Sequence, residues 1–312
     1  MAAAASLWLP ARAKLNLSLR IVGRRADGYH LLETLFHALA LHDDLVVVRT
    51  AREVTLQVTA ADAVFLVPAT ADNLVSRALR AVAQQSGYDG GFAATLHKRI
   101  PHGAGLGGGS SDAAAALRLA NALLDEPLAA DRLHQVALTL GADVPFFLHG
   151  GSQWGRGIGE QLSPANIAAQ HFVLVVPPYG CATADVYKSF AHLWQQRTAT
   201  DTVRPIPVPD TSDALLRMGF HNDLQLAAER VRPELAELRC RVATLARRAV
   251  GMTGSGSTLF VPCAGNAEAQ QCANDLASLG QEGVRLLVTR SAPMGVDRPQ
   301  PPDGVRGVGD ER

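Results

Sequence analysis

The sequence predicts an α+β protein built from two domains. Strand-like and helix-like stretches are interleaved, without the regular strand–helix alternation that a doubly wound parallel sheet requires. At 312 residues the chain is also longer than one hydrophobic core usually organises.

The first strand candidate runs from Ala13 to Val22. Leu45 to Arg49 and Val54 to Thr59 are rich in β-branched residues, are separated by a short polar break, and read as a hairpin. Asp72 and Asn73 offer a cap to a helical pattern carried by Leu74, Leu79 and Val82, which stops near Gly87. A strand from Phe92 to Ile100 leads into the glycine-rich run Pro101 to Asp112. The Ala- and Leu-rich stretch Asp112 to Leu124 then has the composition of a buried helix. A further helix, Asp131 to Leu140, is expected to end at Gly141 in the left-handed conformation that glycine adopts most cheaply.

The second half repeats the mixture. Strands are expected at Phe172 to Val176, Thr258 to Val261 and Val284 to Thr289, with helices near Leu215 to Met218, at Pro233 to Arg248 and at Ala267 to Leu279. The domain division falls soon after Gly159, giving domains 1–159 and 160–290. From Ser291 the chain is rich in Pro and Gly and lacks apolar periodicity, so residues 291–312 read as a disordered tail.

Composition narrows the function classes. The 29 basic and 29 acidic side chains cancel, which argues against nucleic acid or an anionic membrane as a partner. Any anionic ligand needs a local site. Cys181, Cys240, Cys263 and Cys272 are irregularly spaced, and reduced thiols in a cytoplasmic protein are the simplest reading. No stretch approaches the roughly 20 apolar residues of a membrane span. The histidines, His97 and His102 included, show no ligand spacing, so no metal site built from side chains is expected.

Such a local site is offered by Gly103, Gly105, Gly107, Gly108 and Gly109, set directly before Ser110, Ser111, Asp112 and a helix. Glycines admit positive φ and close backbone approach, and the free N–H groups of a helix start attract anions. Gly103, Gly105 and Gly108 also satisfy a dinucleotide fingerprint. Pro101 and His102 interrupt the strand-to-loop junction that this fold needs, however, and Asp125 ends a helix where it needs a second strand. No Gly-Lys-Ser or Gly-Lys-Thr closes the run as a P-loop would. A flexible linker remains the bland alternative.

Gly103 to Ala113 resembles the phosphate-binding motif of the GHMP kinase superfamily, which includes galactokinase, homoserine kinase and mevalonate kinase. Lys14 and Asn16, the run Arg25 to His30, Leu140 to Phe147, Gly155 to Glu160 and Met252 to Ser257 extend the resemblance in order, over roughly residues 8 to 290. They narrow it to the branch that phosphorylates a cytidylated methylerythritol on the non-mevalonate route to isoprenoid precursors. Thr253 stands where that branch often has serine, and the Pro-rich tail has no counterpart in it.

The resemblance implies a two-domain GHMP kinase fold with the active site in the inter-domain cleft. It implies ATP with Mg²⁺, a small-molecule acceptor, and a monomer or weak homodimer in the cytoplasm. Asp143 falls where the family's proton acceptor lies and Lys14 where its stabilising cation lies. Pro101, Gly103, Ala104, Gly105, Leu106, Gly107, Gly108, Gly109, Ser110 and Ser111 would hold ATP, with Asn73 near the adenine and Ser111 able to reach Mg²⁺ or the β-phosphate. Asn16, Tyr29, His30 and Tyr187 would hold the acceptor. On residue type alone, Asp143 is equally a turn residue, Lys14 a surface lysine, Asn73 a helix cap and Tyr187 a core aromatic. Another GHMP small-molecule kinase and a catalytically silent nucleotide-binding module are the rival readings, and the presence of both Lys14 and Asp143 speaks against the second.

Overall fold

The computed structural model describes residues 5–60, 67–194, 214, 220–293 and 295–302. Two long strands, β1 (Ser6–Arg24) and β2 (His30–Thr50), pair antiparallel along nearly their whole length. The other edge of β2 is shared by β4 (Gly91–Lys98), which takes Asp44 to Thr50, and β5 (Ser152–Arg156), which takes Thr34 to His37. β3 (Thr55–Ala60) joins β4 in parallel and β6 (Gln161–Pro164) joins β5, completing a six-stranded sheet.

The expected hairpin between Leu45 to Arg49 and Val54 to Thr59 does not form. β4 lies between the two, because its Phe92, Ala94 and Leu96 are buried while β3 alternates exposed and half-buried positions, the pattern of an edge strand. The sheet also carries on past Gly159, since β6 still belongs to it.

Four helices pack with this sheet: α1 (Leu74–Ser86), α2 (Gly108–Leu123), α3 (Ala130–Leu140) and α4 (Val144–His149). Alanines 113 to 116 and Leu117 of α2 are buried against Val75, Leu79 and Val82 of α1 and against Phe146 of α4. α1 starts at the Asn73 cap, whose Oδ1 accepts from the Val75 amide at 2.9 Å, and stops at a left-handed Gly87. α3 stops at Gly141 as expected, but Gly141 is extended (φ 164°) and not left-handed, because the chain turns straight into α4.

The second sheet has the order β10 (Arg285–Arg290), β7 (His171–Val176), β9 (Leu259–Cys263), β8 (Gly251–Met252), all antiparallel. Around it lie α5 (Thr183–Trp194), α6 (Gln225–Val231), α7 (Pro233–Ala246), α8 (Asn266–Asp275) and a 3₁₀ turn at Ala277–Glu282. The helix expected near Leu215 to Met218 lies outside the described residues. An apolar layer of Leu15, Leu17, Leu39 and Leu106 against Phe172, Leu174 and Phe260 joins the two halves. All four cysteines are free thiols.

The outer edge of β1 is closed by groups from four separate segments. The amides of Trp8, Lys14, Asn16, Leu19 and Ile21 donate to Gln300 O, Leu106 O, Thr253 Oγ1, His221 O and Asp223 Oδ2 at 2.7 to 3.0 Å. Gln300 belongs to the segment expected to be disordered. Through Pro302 that segment instead runs back over the first sheet, where Asp297 takes a bidentate bond from Arg12 (2.5 and 2.8 Å) and its carbonyl accepts from Arg118. These anchors are remote in sequence, so composition alone did not reveal them.

His37 joins this segment to the sheet. It is fully buried, with Nδ1 2.8 Å from Ser152 Oγ and Nε2 2.8 Å from Ser291 Oγ, and burial lowers its pKa from 6.5 to about 4. Between those two values the unfolded chain binds a proton that the native ring refuses, so stability falls as pH falls through the window. We expect the urea-denaturation free energy to drop by about 2–3 kcal/mol more between pH 7 and pH 4.5 in the native sequence than in His37→Gln.

Candidate active site

Between the two halves lies a cleft of about 1090 Å³. Its floor is β1. Register shifts on either side of Lys14 and Asn16 flank the pair, and both side chains line the cleft. Lys14 is buried, its Nζ 2.6 Å from Asn16 Oδ1 and 3.7 Å from Asp143 Oδ2. Burial lowers the Lys14 pKa, and the negative charge of Asp143 opposes that fall. Asn16 Nδ2 donates to Thr34 Oγ1 at 2.7 Å, and that hydroxyl donates to Ser18 O, which fixes the amide's orientation. Asp143 stands at the N-cap position of α4 yet makes no capping bond, so its carboxylate, about a third exposed, is left to the cleft.

The glycine-rich run forms one wall. Gly103, Gly105 and Gly107 have positive φ, and the helix begins at Gly108, inside the run and ahead of the expected Asp112. No side chain caps it, so the first N–H groups of α2 remain available to an anion. A Cβ on Gly107 would lie 2.8 Å from Phe147 and 3.0 Å from the Lys14 stem, so glycine is what lets the wall approach Lys14.

The opposite end is aromatic. Asp27 and Gly28 (φ 92°) make the expected turn, with the Tyr29 amide donating to Asp27 Oδ1 at 3.3 Å. Tyr29 stands exposed at the rim, while His30 lies 5.3 Å from the Tyr187 ring and 5.6 Å from Phe190. Burial, then the nearby Asp143 charge, push the Tyr187 phenol up to about 12, so it stays a neutral donor. The Gly157 to Glu160 turn contributes Ile158, and the C-terminal half contributes Thr183, Gly254 and Ser255.

The profile of the GHMP kinases N terminal domain matches residues 73–151. A 4-diphosphocytidyl-2-C-methyl-D-erythritol kinase of Delftia acidovorans is 41% identical over 265 residues, covering 81% of this chain and 85% of that protein. One from Alcanivorax borkumensis is 37% identical, covering 87% of each. The chain belongs to the 4-diphosphocytidyl-2-C-methyl-D-erythritol kinase family. A crystal structure of 4-(cytidine 5'-diphospho)-2C-methyl-D-erythritol kinase superposes with a TM-score of 0.76 at 36% identity, covering 91% of this chain and 99% of that one. Homoserine kinase from Cytophaga hutchinsonii, 18% identical with a TM-score of 0.65 over 95% of this chain and 96% of that one, shares the fold. The α+β GHMP kinase fold expected from sequence is therefore the fold observed.

Within this 4-diphosphocytidyl-2-C-methyl-D-erythritol kinase scaffold, the cleft gathers Lys14, Asn16, Tyr29, His30, Pro101, Gly103 to Ser110, Asp143 and Tyr187. Two expected site residues are absent from its lining. Asn73 spends Oδ1 on the α1 cap and Nδ2 on Pro68 O, although its neighbour Leu74 does reach the cleft. Ser111 is buried and instead borders a small cavity lined by Ala292, Gly295, Val296 and Asp297.

Sequence reasoning missed Lys98. It is 2% exposed, touches the cleft under Gly108, and is held by Asp43 of β2 and by Asp112 of α2 at 2.7 Å. Burial works against its charge, but the two carboxylates outweigh burial and raise its pKa. Asp43 also accepts from the Arg99 and Ile100 amides, pinning the chain where it enters the glycine run. The available signal was a lysine three residues before Pro101 that shares the alternating face of the apolar Ala94, Leu96 and Ile100.

Proposed function

We propose that this protein transfers the γ-phosphoryl group of ATP to the 2-hydroxyl of 4-diphosphocytidyl-2-C-methyl-D-erythritol. The products are ADP and the 2-phosphate, a step toward isoprenoid precursors. The observation that carries the reading is the Lys14–Asp143 pair, set between an uncapped helix start and an aromatic pocket.

The triphosphate is assigned to the backbone of Gly103 to Ser110, where the α2 dipole favours negative charge. The cytidine end is assigned to Tyr187, His30 and Tyr29, whose rings offer a stacking surface. The hydroxyl then faces Asp143, which accepts its proton. The Lys14 ammonium stabilises the developing alkoxide, and Asn16 holds that ammonium in place.

Among the described residues no group of three or more His, Cys, Asp or Glu forms a metal cage. Mg²⁺ commonly keeps several waters and binds largely through substrate phosphates, and Ser110, which lines the cleft at the end of the glycine run, would add an oxygen donor there. When bound, Mg²⁺ neutralises charge on the β- and γ-phosphates.

We read the chain as a cytoplasmic monomer or weak homodimer. No helix among the described residues is long and apolar enough to cross a membrane, and the outer edge of β1 is already occupied. Purified protein is expected to release ADP from ATP only in the presence of the cytidylated substrate. Turnover with mevalonate or homoserine instead would overturn the assignment.

A further inference from the structure

The two sides of the reaction are carried by separate pieces of chain. Lys14 and Asn16 lie on β1, and the phosphate-binding wall is the loop around Gly105. A third piece, the turn after β8, lies between them. Thr253 of that turn is fully buried, and its hydroxyl makes two bonds. It accepts from the Asn16 amide at 3.0 Å and donates to Gly105 O at 3.1 Å.

The surroundings leave little room for another arrangement. Gly105 has φ 78°, and a Cβ there would overlap the Thr253 carbonyl oxygen, so the two backbones are in direct contact. A Cβ on Gly254 would lie 3.2 Å from Gly105 O and 3.4 Å from Lys14 Nζ. The turn is fixed from behind as well: Asn222 Nδ2 donates to Met252 O and Gly254 O at 2.8 and 2.9 Å, and the Thr253 amide donates to Thr258 O at 3.1 Å. The hydroxyl is thus mounted on a rigid support and set between the strand that bears Lys14 and Asn16 and the loop that receives the phosphates.

We propose that the Thr253 hydroxyl is a positioning group for phosphoryl transfer, setting the spacing of Lys14 and Asn16 from the phosphate loop. It touches neither substrate. Its effect passes through the Asn16 amide and the Gly105 carbonyl, and it rests on the kinase reading above for its consequence in turnover. In-line transfer is sensitive to small displacements, with about 1 Å of misplacement able to cost about 10²-fold in rate. The bulk of the side chain is secondary: serine offers the same hydroxyl, whereas valine keeps the shape and leaves a buried N–H and C=O unpaired.

The test compares Thr253→Ser, Thr253→Val and Thr253→Ala with the native enzyme. It reads kcat, both KM values, the Kd for ATP and amide hydrogen exchange of the peptides holding Asn16 and Gly105. Thr253→Val and Thr253→Ala are expected to lose about 10–100-fold in kcat while the KM for ATP changes by less than about 3-fold. Thr253→Ser is expected to retain native kcat. Exchange at Asn16 is expected to be slow in the native and serine proteins and fast in the other two. Native kcat in folded Thr253→Val or Thr253→Ala, or a serine variant as slow as the alanine one, overturns the proposal. Should valine prevent folding, the serine and alanine variants decide it. A native enzyme that binds ATP but ignores the cytidylated substrate condemns the functional reading instead, and the exchange pattern still tests the joint.

Discussion

Asp143→Asn is expected to bind ATP as the native protein does and to turn over about 10²–10⁴-fold more slowly, the usual loss when a general base is removed. Asparagine keeps the size and shape of the side chain but cannot take the acceptor's proton. Nucleotide binding should survive because the phosphate wall is backbone, and Asp143 belongs to a different element at the start of α4. The substitution also removes the carboxylate that supports the Lys14 charge against burial, so the ammonium that faces the alkoxide weakens together with the base. Equilibrium binding of ATP and steady-state turnover, measured on the same preparation, separate the two effects. Near-native turnover would show that the aspartate has been given the wrong role.

Lys98→Met is expected to cost about 3–5 kcal/mol of folding stability, the range found when one partner of a buried ion pair is removed. The ammonium sits between Asp43 and Asp112, which are 0% and 4% exposed at their side chains. Without it, two buried carboxylates face each other with no counter-charge. Burial already pushes the Asp112 pKa up, with Lys98 pulling it partly back, and losing the lysine raises it further. The sign of the pH response follows. A folded-state pKa raised above the unfolded value means stability is lost as pH rises, so the methionine variant should be weaker at pH 9 than at pH 6 relative to the native protein. Urea-denaturation midpoints at the two pH values provide the check, and equal losses at both would exclude this account of the cluster.

The difference between these two residues explains what could be read from the chain. Asp143 lies inside a short contiguous pattern, Leu140 to Phe147, and the glycine run is likewise local, so both are visible one segment at a time. The Asp43–Lys98–Asp112 cluster exists only after a strand, a strand end and a helix have met, and no single segment displays it. The pairing of β3 has the same origin. Its β-branched composition announced a strand, but which neighbour it joins was decided by β4, made later in the chain and more apolar. Ser111 lies outside the cleft lining for a finer reason. It sits one residue beyond Ser110 on a helix, and that single step of about 100° turns it out of the cleft and toward the small cavity beside Arg118.

The closed outer edge of β1 has a consequence for biogenesis. β1 is synthesised before every group that seals its outer edge, and those groups arrive in succession, from Leu106, then His221 and Asp223, then Thr253, and last Gln300. Throughout translation some of its amides have no native acceptor, and an open strand edge invites pairing with another chain. The nascent polypeptide therefore carries an open edge on the strand that holds Lys14 and Asn16. Closure of that edge waits on Gln300.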